Sequence, residues 1–176
     1  SKCYKGNIED EGYWQILKSA IENEVRLIAI TDHNTIAGYE KLIELRDNTI
    51  QEYNIIQKYN ISDEEKREIQ EKVELFSKVS IIMGVEITLN PGIHIIVLCD
   101  EQSKTNIDSL LNDLGYSSEN RGIDGGIVTK MDINAFLSDE RLSDKIVLAP
   151  HVDSDNGIWN VLEGICRAAV FKSSTI

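Results

Sequence analysis

The stretch Leu27-Ile28-Ala29-Ile30-Thr31-Asp32-His33-Asn34 decides the fold. Its apolar first half suits a strand buried on both faces, and the run breaks abruptly into polar residues at Thr31. The chain leaves the core there. Upstream, Tyr13, Ile16, Leu17, Ala20 and Ile21 share one face of a helix predicted from about Asp10 to Glu24. Downstream, Ile36, Tyr39 and Ile43 form the stripe of a second helix from about Thr35 towards Tyr59. Ser62 with Glu65 reads as a capping box opening a third helix, whose Ile69, Val73 and Phe76 make a narrow buried edge on a charged surface.

Two further strands are predicted, Val79 to Thr88 and Ile93 to Cys99, separated by the turn signature Leu89-Asn90-Pro91-Gly92. If residues 90–92 are a three-residue hairpin loop with Gly92 in the left-handed region, Leu89 pairs with Ile93 and His94 falls opposite Thr88. Glu86 and His94 then share a face as diagonal neighbours, roughly 7 Å apart at the backbone. Glu86 lies inside the apolar run from Ile81 to Ile87, where an unpaired carboxylate is costly. A fourth helix carries Ile107, Leu110, Leu111 and Leu114 and stops at Gly115, and residues 116–130 read as a glycine-containing loop. A short helix around Ile133, Phe136 and Leu137 leads to a strand, Lys145 to Ala149, which ends in the polar Pro150-His151-Val152-Asp153-Ser154-Asp155. Strands alternating with helices give an α/β fold, in which chemistry sits at the carboxyl ends of the strands. Both polar bursts occupy that position.

With 176 residues, 41% hydrophobic and 27% charged, the chain is expected to form one soluble globular domain. A net charge of −12 disfavours non-specific nucleic-acid binding, so an anionic substrate would need local positive charge such as bound divalent cations. Cys3, Cys99 and Cys166 are odd in number, widely spaced and without C-x-x-C. This argues against a disulfide framework or a cysteine zinc site and for a reducing cytoplasm. No apolar stretch is long enough to span a membrane, and Ser1 to Asp10 lacks the apolar core of a signal peptide.

The chain has three histidines, His33, His94 and His151, each at a predicted strand end. Together with Glu86 they make a candidate metal site, because imidazole and carboxylate are ligands that zinc, manganese and iron accept, whereas calcium prefers oxygen alone. H-E-x-x-H and G-x-S-x-G are absent. The glycines of Arg121-Gly122-Ile123-Asp124-Gly125-Gly126 fit neither the phosphate-loop nor the dinucleotide fingerprint and read as a loop.

Ile28-Ala29-Ile30-Thr31-Asp32-His33-Asn34-Thr35-Ile36-Ala37-Gly38 closely resembles the second motif of the PHP (polymerase and histidinol phosphatase) domain family. Gly84-Val85-Glu86-Ile87-Thr88 followed by His94-Ile95-Ile96-Val97-Leu98 resembles the third motif, and Leu148-Ala149-Pro150-His151 the next, so the likeness covers roughly residues 8–155. The resemblance implies a distorted seven-stranded (β/α) barrel that binds two or three zinc, manganese or iron ions and hydrolyses phosphate esters. It implies His33, His94 and His151 as metal ligands and Glu86 as a carboxylate bridging two ions, with His33 and Glu86 the catalytic pair. Asp32 would orient His33 from behind.

The sequence departs from the family pattern at both ends. No H-x-H pair precedes His33, although Ser1-Lys2-Cys3-Tyr4-Lys5-Gly6 looks like the residues that follow one, and no closing D-x-H follows His151. Pro150 precedes the histidine instead of following it. The chain is therefore expected to be a single incomplete PHP-like domain, a fragment or a divergent version, with a helical insertion at about residues 46–78. The expected function is metal-dependent hydrolysis of a phosphate ester, whether of a nucleotide, a small monoester or a nucleic-acid end. The alternative is a non-catalytic PHP-like module of a larger polymerase- or ATPase-associated protein. A metal-dependent amidohydrolase on a similar barrel lacks support in the ligand order.

Overall fold

A computed structural model describes residues 10–59, 62–117, 119–123, 129 and 131–173. Ser1 to Gly6, Cys3 included, and Asp124, Gly125 and Gly126 of the expected glycine loop lie outside the described residues. The chain divides into two compact units: residues up to Ile28 with Glu40–Ile81, and Ala29–Tyr39 with everything from Ile82 onward.

The first unit is helical. Helix α1 (Asp10–Glu22) buries Tyr13, Leu17 and Ala20 of the face that its apolar spacing selects, together with Trp14, while Ile16 and Ile21 are half-buried. Strand β1 (Leu27–His33) and helix α2 (Ala37–Ile56) follow, and α2 belongs to this unit from Glu40 onward. Helix α3 (Asp63–Lys78) starts at the predicted capping box: the Ser62 hydroxyl accepts from the Glu65 N–H and the Glu65 carboxylate accepts from the Ser62 N–H, both at 3.2 Å. It packs on α1 through Trp14 and Phe76, whose ring centroids are 5.2 Å apart, while Ile69 is buried. The helical segment expected at about 46–78 is thus the end of α2 together with α3.

A four-stranded sheet is ordered β1-β2-β3-β4, with β2 (Ser80–Leu89), β3 (Ile93–Cys99) and β4 (Ile146–Leu148), and the second unit holds it from Ala29 of β1 and Ile82 of β2 onward. Thr31 lies against Gly84 and the Asn34 N–H donates to the Glu86 carbonyl, so β1 and β2 run parallel. A Cβ on Gly84 would stand 2.7 Å from Thr31 Cγ2 and 2.8 Å from Leu98 Cδ2, which is why this central strand carries a glycine there. The pairs β2–β3 and β3–β4 are antiparallel. Leu89 pairs with Ile93 and Thr88 with His94, and Gly92 has φ +122°, as the loop reading requires.

That register sorts the side chains. Met83, Val85, Ile87 and Leu89 line one face with Ile93, Ile95, Val97 and Cys99, all buried. Glu86, Thr88 and His94 take the other face, as does a strip in which Ile96 and Leu98 pair with the exposed Leu148 and Ile146. Helices α4 (Lys104–Asp113) and α5 (Ile133–Leu137) add the buried Ile107, Leu110, Leu111, Phe136 and Leu137, and Gly115 takes φ +97° just past α4. Helices α6 (Ile158–Val161) and α7 (Gly164–Phe171) close the described chain.

The fold is therefore mixed α/β with an open sheet among the described residues. The closed seven-stranded barrel that the resemblance implies is not seen among the described residues, which carry four strands in one open sheet. Two boundaries differ from expectation. Strand β1 extends through Thr31 and Asp32 to His33, because the sheet partner continues to satisfy its backbone past the apolar run, and β4 is shorter than Lys145–Ala149. No helix among the described residues is long and apolar enough to cross a membrane.

Candidate metal centre

Three strands and one loop converge on a single cluster. His33 is the last residue of β1, Glu86 lies within β2, His94 near the start of the antiparallel β3, and His151 in the turn that follows β4. Glu86 Oε1 sits 2.8 Å from His94 Nδ1 and 3.2 Å from His151 Nε2. The His33 and His94 ring centroids are 5.2 Å apart, and those of His94 and His151 are 5.3 Å apart. All four residues singled out in the sequence are brought together, although His151 and Glu86 are 65 positions apart in the chain.

His94 is 4% exposed, and the Glu86 side chain is 14% exposed, whereas the His151 side chain at 40% forms the open side of the cluster. Burial, the largest single influence on the Glu86 carboxyl, pushes its pKa up. The hydrogen bond with His94, the charge of His33, the hydrogen bond with His151 and the charge of His94 together outweigh it and hold the group below the ordinary carboxylate range. The carboxylate is paired twice, so the expected cost of an unpaired charge in β2 is not incurred.

His33, Glu86 and His94 each offer a donor atom within 4.8 Å of the others and could hold one metal ion. A tetrahedral zinc shell with bonds of about 2.0–2.1 Å sets its donors about 3.3 Å apart. The 3.2 Å from Glu86 to His151 is close to that, the 2.8 Å to His94 is a hydrogen-bond length that would open by about 0.5 Å around an ion, and the donors are of the kinds that zinc, manganese and iron accept. The residues fit such an ion.

The surroundings hold these ligands in place. Asp32 accepts the Gly38 N–H at 2.9 Å at the start of α2. Burial raises the pKa of this carboxyl above its usual value, against the pull of the Gly38 N–H and of the His33 charge. Asp32 thereby anchors the start of the helix that follows. Asn34, 1% exposed and in the left-handed region at φ +55°, receives the Thr88 N–H on its Oδ1 at 2.8 Å. Its own N–H goes to the Glu86 carbonyl at 2.8 Å, so one residue locks β1 to β2 beside both ligands. The Tyr116 hydroxyl donates to the Thr88 carbonyl at 2.5 Å, and burial pushes its pKa up to about 12.

The sequence reading did not assign roles to Asn34, Tyr116, Ser154, Asn156 or Gly157. For Asn34 a signal existed, since asparagine tolerates the left-handed region that a sharp strand exit needs. Asn156-Gly157 is likewise a turn dipeptide, but nothing in it says that the turn folds back onto His94. Compared with protein-family models, curated proteins and solved structures, the chain matches none of them.

Proposed function

We propose that the second unit is part of a PHP-type metal-dependent phosphoesterase, with His33, Glu86, His94 and His151 as the ligands of two or three zinc, manganese or iron ions. The observation that carries the reading is the sharing of one carboxylate oxygen, Glu86 Oε1, between two imidazoles at 2.8 and 3.2 Å. The order of the ligands along the chain and their place at strand ends support it, as does the exposed apolar pair Ile146 and Leu148 on the site-bearing face, which suits part of a larger barrel.

Divalent ions bound there would supply Lewis acidity towards a phosphoryl oxygen and activation of water at neutral pH. The protein's own part is positional. Glu86 presents its carboxylate to the centre of the cluster, His33 and His94 fix that centre from neighbouring strands, and the half-open His151 leaves the side from which a phosphate ester approaches. The substrate is a phosphate monoester, a nucleotide or a nucleic-acid end, met by cations in a chain whose net charge of −12 would otherwise repel it.

The number of donors favours a second reading. Among the described residues one group of three ligands is found, enough for one ion. That suits a non-catalytic PHP-like module of a larger polymerase- or ATPase-associated protein. In the full-length protein, titration with zinc or manganese, followed by hydrolysis of a generic phosphomonoester, separates the two. Binding with chelator-sensitive turnover supports the phosphoesterase, binding without turnover supports the module, and no binding rejects both.

A further inference from the structure

We propose that Ser154 and Asn156 are positioning residues that let His151 and His94 shift a ring proton from the nitrogen facing Glu86 to the other one and so free a lone pair for a cation, an inference that rests on the metal-centre reading above. The Asn156 amide Nδ2 lies 3.0 Å from His94 Nε2, and the Asn156 carbonyl accepts the His94 backbone N–H at 3.0 Å. Ser154 Oγ lies 2.7 Å from His151 Nδ1. Each histidine therefore turns one ring nitrogen towards Glu86 and the other towards a residue of a single turn. That turn is tightly built: the Ser154 N–H donates to the His151 carbonyl and the Gly157 N–H to the Ser154 carbonyl, both at 2.9 Å.

The chemistry of the two partners matters. A neutral imidazole carries one N–H and one lone pair, whereas an amide and a hydroxyl can each either donate or accept. Without a cation, His94 Nδ1 donates to the Glu86 carboxylate, and the lone pair on Nε2 accepts from the Asn156 Nδ2–H. To ligate a cation, Nδ1 must present its lone pair, so the ring proton moves to Nε2 and needs an acceptor there. A half-turn of the Asn156 amide brings Oδ1 into that place. At His151 a rotation of the Ser154 hydroxyl does the same, turning an acceptor of the Nδ1 proton into a donor or back. An alkyl side chain could serve neither state, and a carboxylate only the state with the proton on Nε2. His94 is buried, so a ring nitrogen left without a partner would be costly. The partner on the far nitrogen of a ligating histidine governs its tautomer and its basicity.

The test uses the chain as it stands. Nitrogen–proton correlation spectra of the metal-free protein report the tautomer of each histidine, and zinc titration against a competing chelator reports affinity. Asn156→Leu is expected to weaken zinc binding by roughly 10- to 100-fold, and Ser154→Ala to weaken it by a smaller factor. Asn156→Asp, which can only accept, is expected to place a proton on His94 Nε2 before any metal is added, whether or not Nδ1 keeps its own, and to keep zinc binding. This variant preserves side-chain size, and thermal melts confirm that each variant folds. Unchanged zinc affinity in Asn156→Leu, or a His94 Nε2 that carries no proton in metal-free Asn156→Asp, overturns the positioning role and leaves the metal centre standing. A wild-type chain that binds no zinc overturns both.

Discussion

A Cβ placed on Gly157 would stand 2.4 Å from the carbonyl oxygen of His151. The atoms it would meet next are the carbonyl carbon and oxygen of Val152, also at 2.4 Å, so all of the nearest obstacles are backbone. Backbone cannot swing aside as a side-chain tip can. Gly157→Ala must therefore open the turn that presents His151, at a cost of about 1–3 kcal/mol. Urea denaturation should show that loss, with weakened zinc binding; wild-type values for both would mean that the turn is looser than its contacts indicate.

Asn34 combines a left-handed backbone with a buried hydrogen-bonded amide, and two substitutions separate these roles. Asn34→Gly keeps the conformation but leaves the Thr88 N–H without its acceptor, a loss of about 1–3 kcal/mol. Asn34→Ala adds about 1 kcal/mol of backbone strain. Chemical denaturation of both variants should rank alanine below glycine, and the reverse order would show that the conformation is not what selects asparagine.

For Glu86→Gln the structure reverses a sign. Judged from its apolar flanks, neutralising Glu86 in the metal-free chain should be neutral or slightly stabilising. With His94 and His151 both on Oε1, the substitution removes charge-assisted hydrogen bonds and is expected to cost about 1–3 kcal/mol without metal. With zinc present the loss in melting temperature should be larger, because ligand stabilisation disappears as well. A metal-free variant at least as stable as the wild type would restore the earlier expectation.

Asp139 tests the pH dependence away from the cluster. Its Oδ2 lies 2.6 Å from Arg141 Nη2, and the Arg141 guanidinium also reaches Asp113 at 2.7 Å, tying the turn Glu140–Leu142 to α4. The hydrogen bond with Arg141 is the main reason that the Asp139 carboxyl is held below its usual 3.8, burial opposing it. A depressed carboxyl contributes stability above its unfolded pKa and loses it as pH falls through the folded one. Asp139→Asn is therefore expected to cost about 1 kcal/mol at pH 7. Melts repeated at successively lower pH from 3.8 downward should show the gap between variant and wild type narrow and then close. A gap that stays constant with pH would assign the loss to packing.

The parts of the site governed by local rules were legible in the sequence. Pro91 and Gly92 define a loop length, the loop length defines the register, and the register puts Glu86 and His94 on one face. The Ser62–Glu65 capping box is equally local. His151 was placed correctly as a residue at a strand end, yet its reach to Glu86 depends on a turn whose direction is set by Gly157 and by backbone contacts that no pattern announces. Helix α6 went unread because four residues give too few turns for apolar periodicity to stand out, and α7 because Arg167 alone interrupts its apolar and small residues, so no polar face sets off a buried one. The division into two units was hidden for another reason. The described residues up to Ile28 join Glu40–Ile81 in space, and the two strands and one helix that cross the division carry no glycine- or proline-rich seam to mark it.

Cys99, at the end of β3, gives the sheet a chemical clock. It is 7% exposed, and burial pushes its thiol up to about 11, so that on the order of one molecule in ten thousand carries the reactive thiolate at pH 7. Cys166 on α7 lies exposed. With Cys3 and Cys166 replaced by serine, an alkylating reagent can label the chain only when the end of β3 opens, and the labelling rate reads out how often it does. Zinc that ties together the opposite end of the same strand, at His94, should slow that labelling without touching the cysteine.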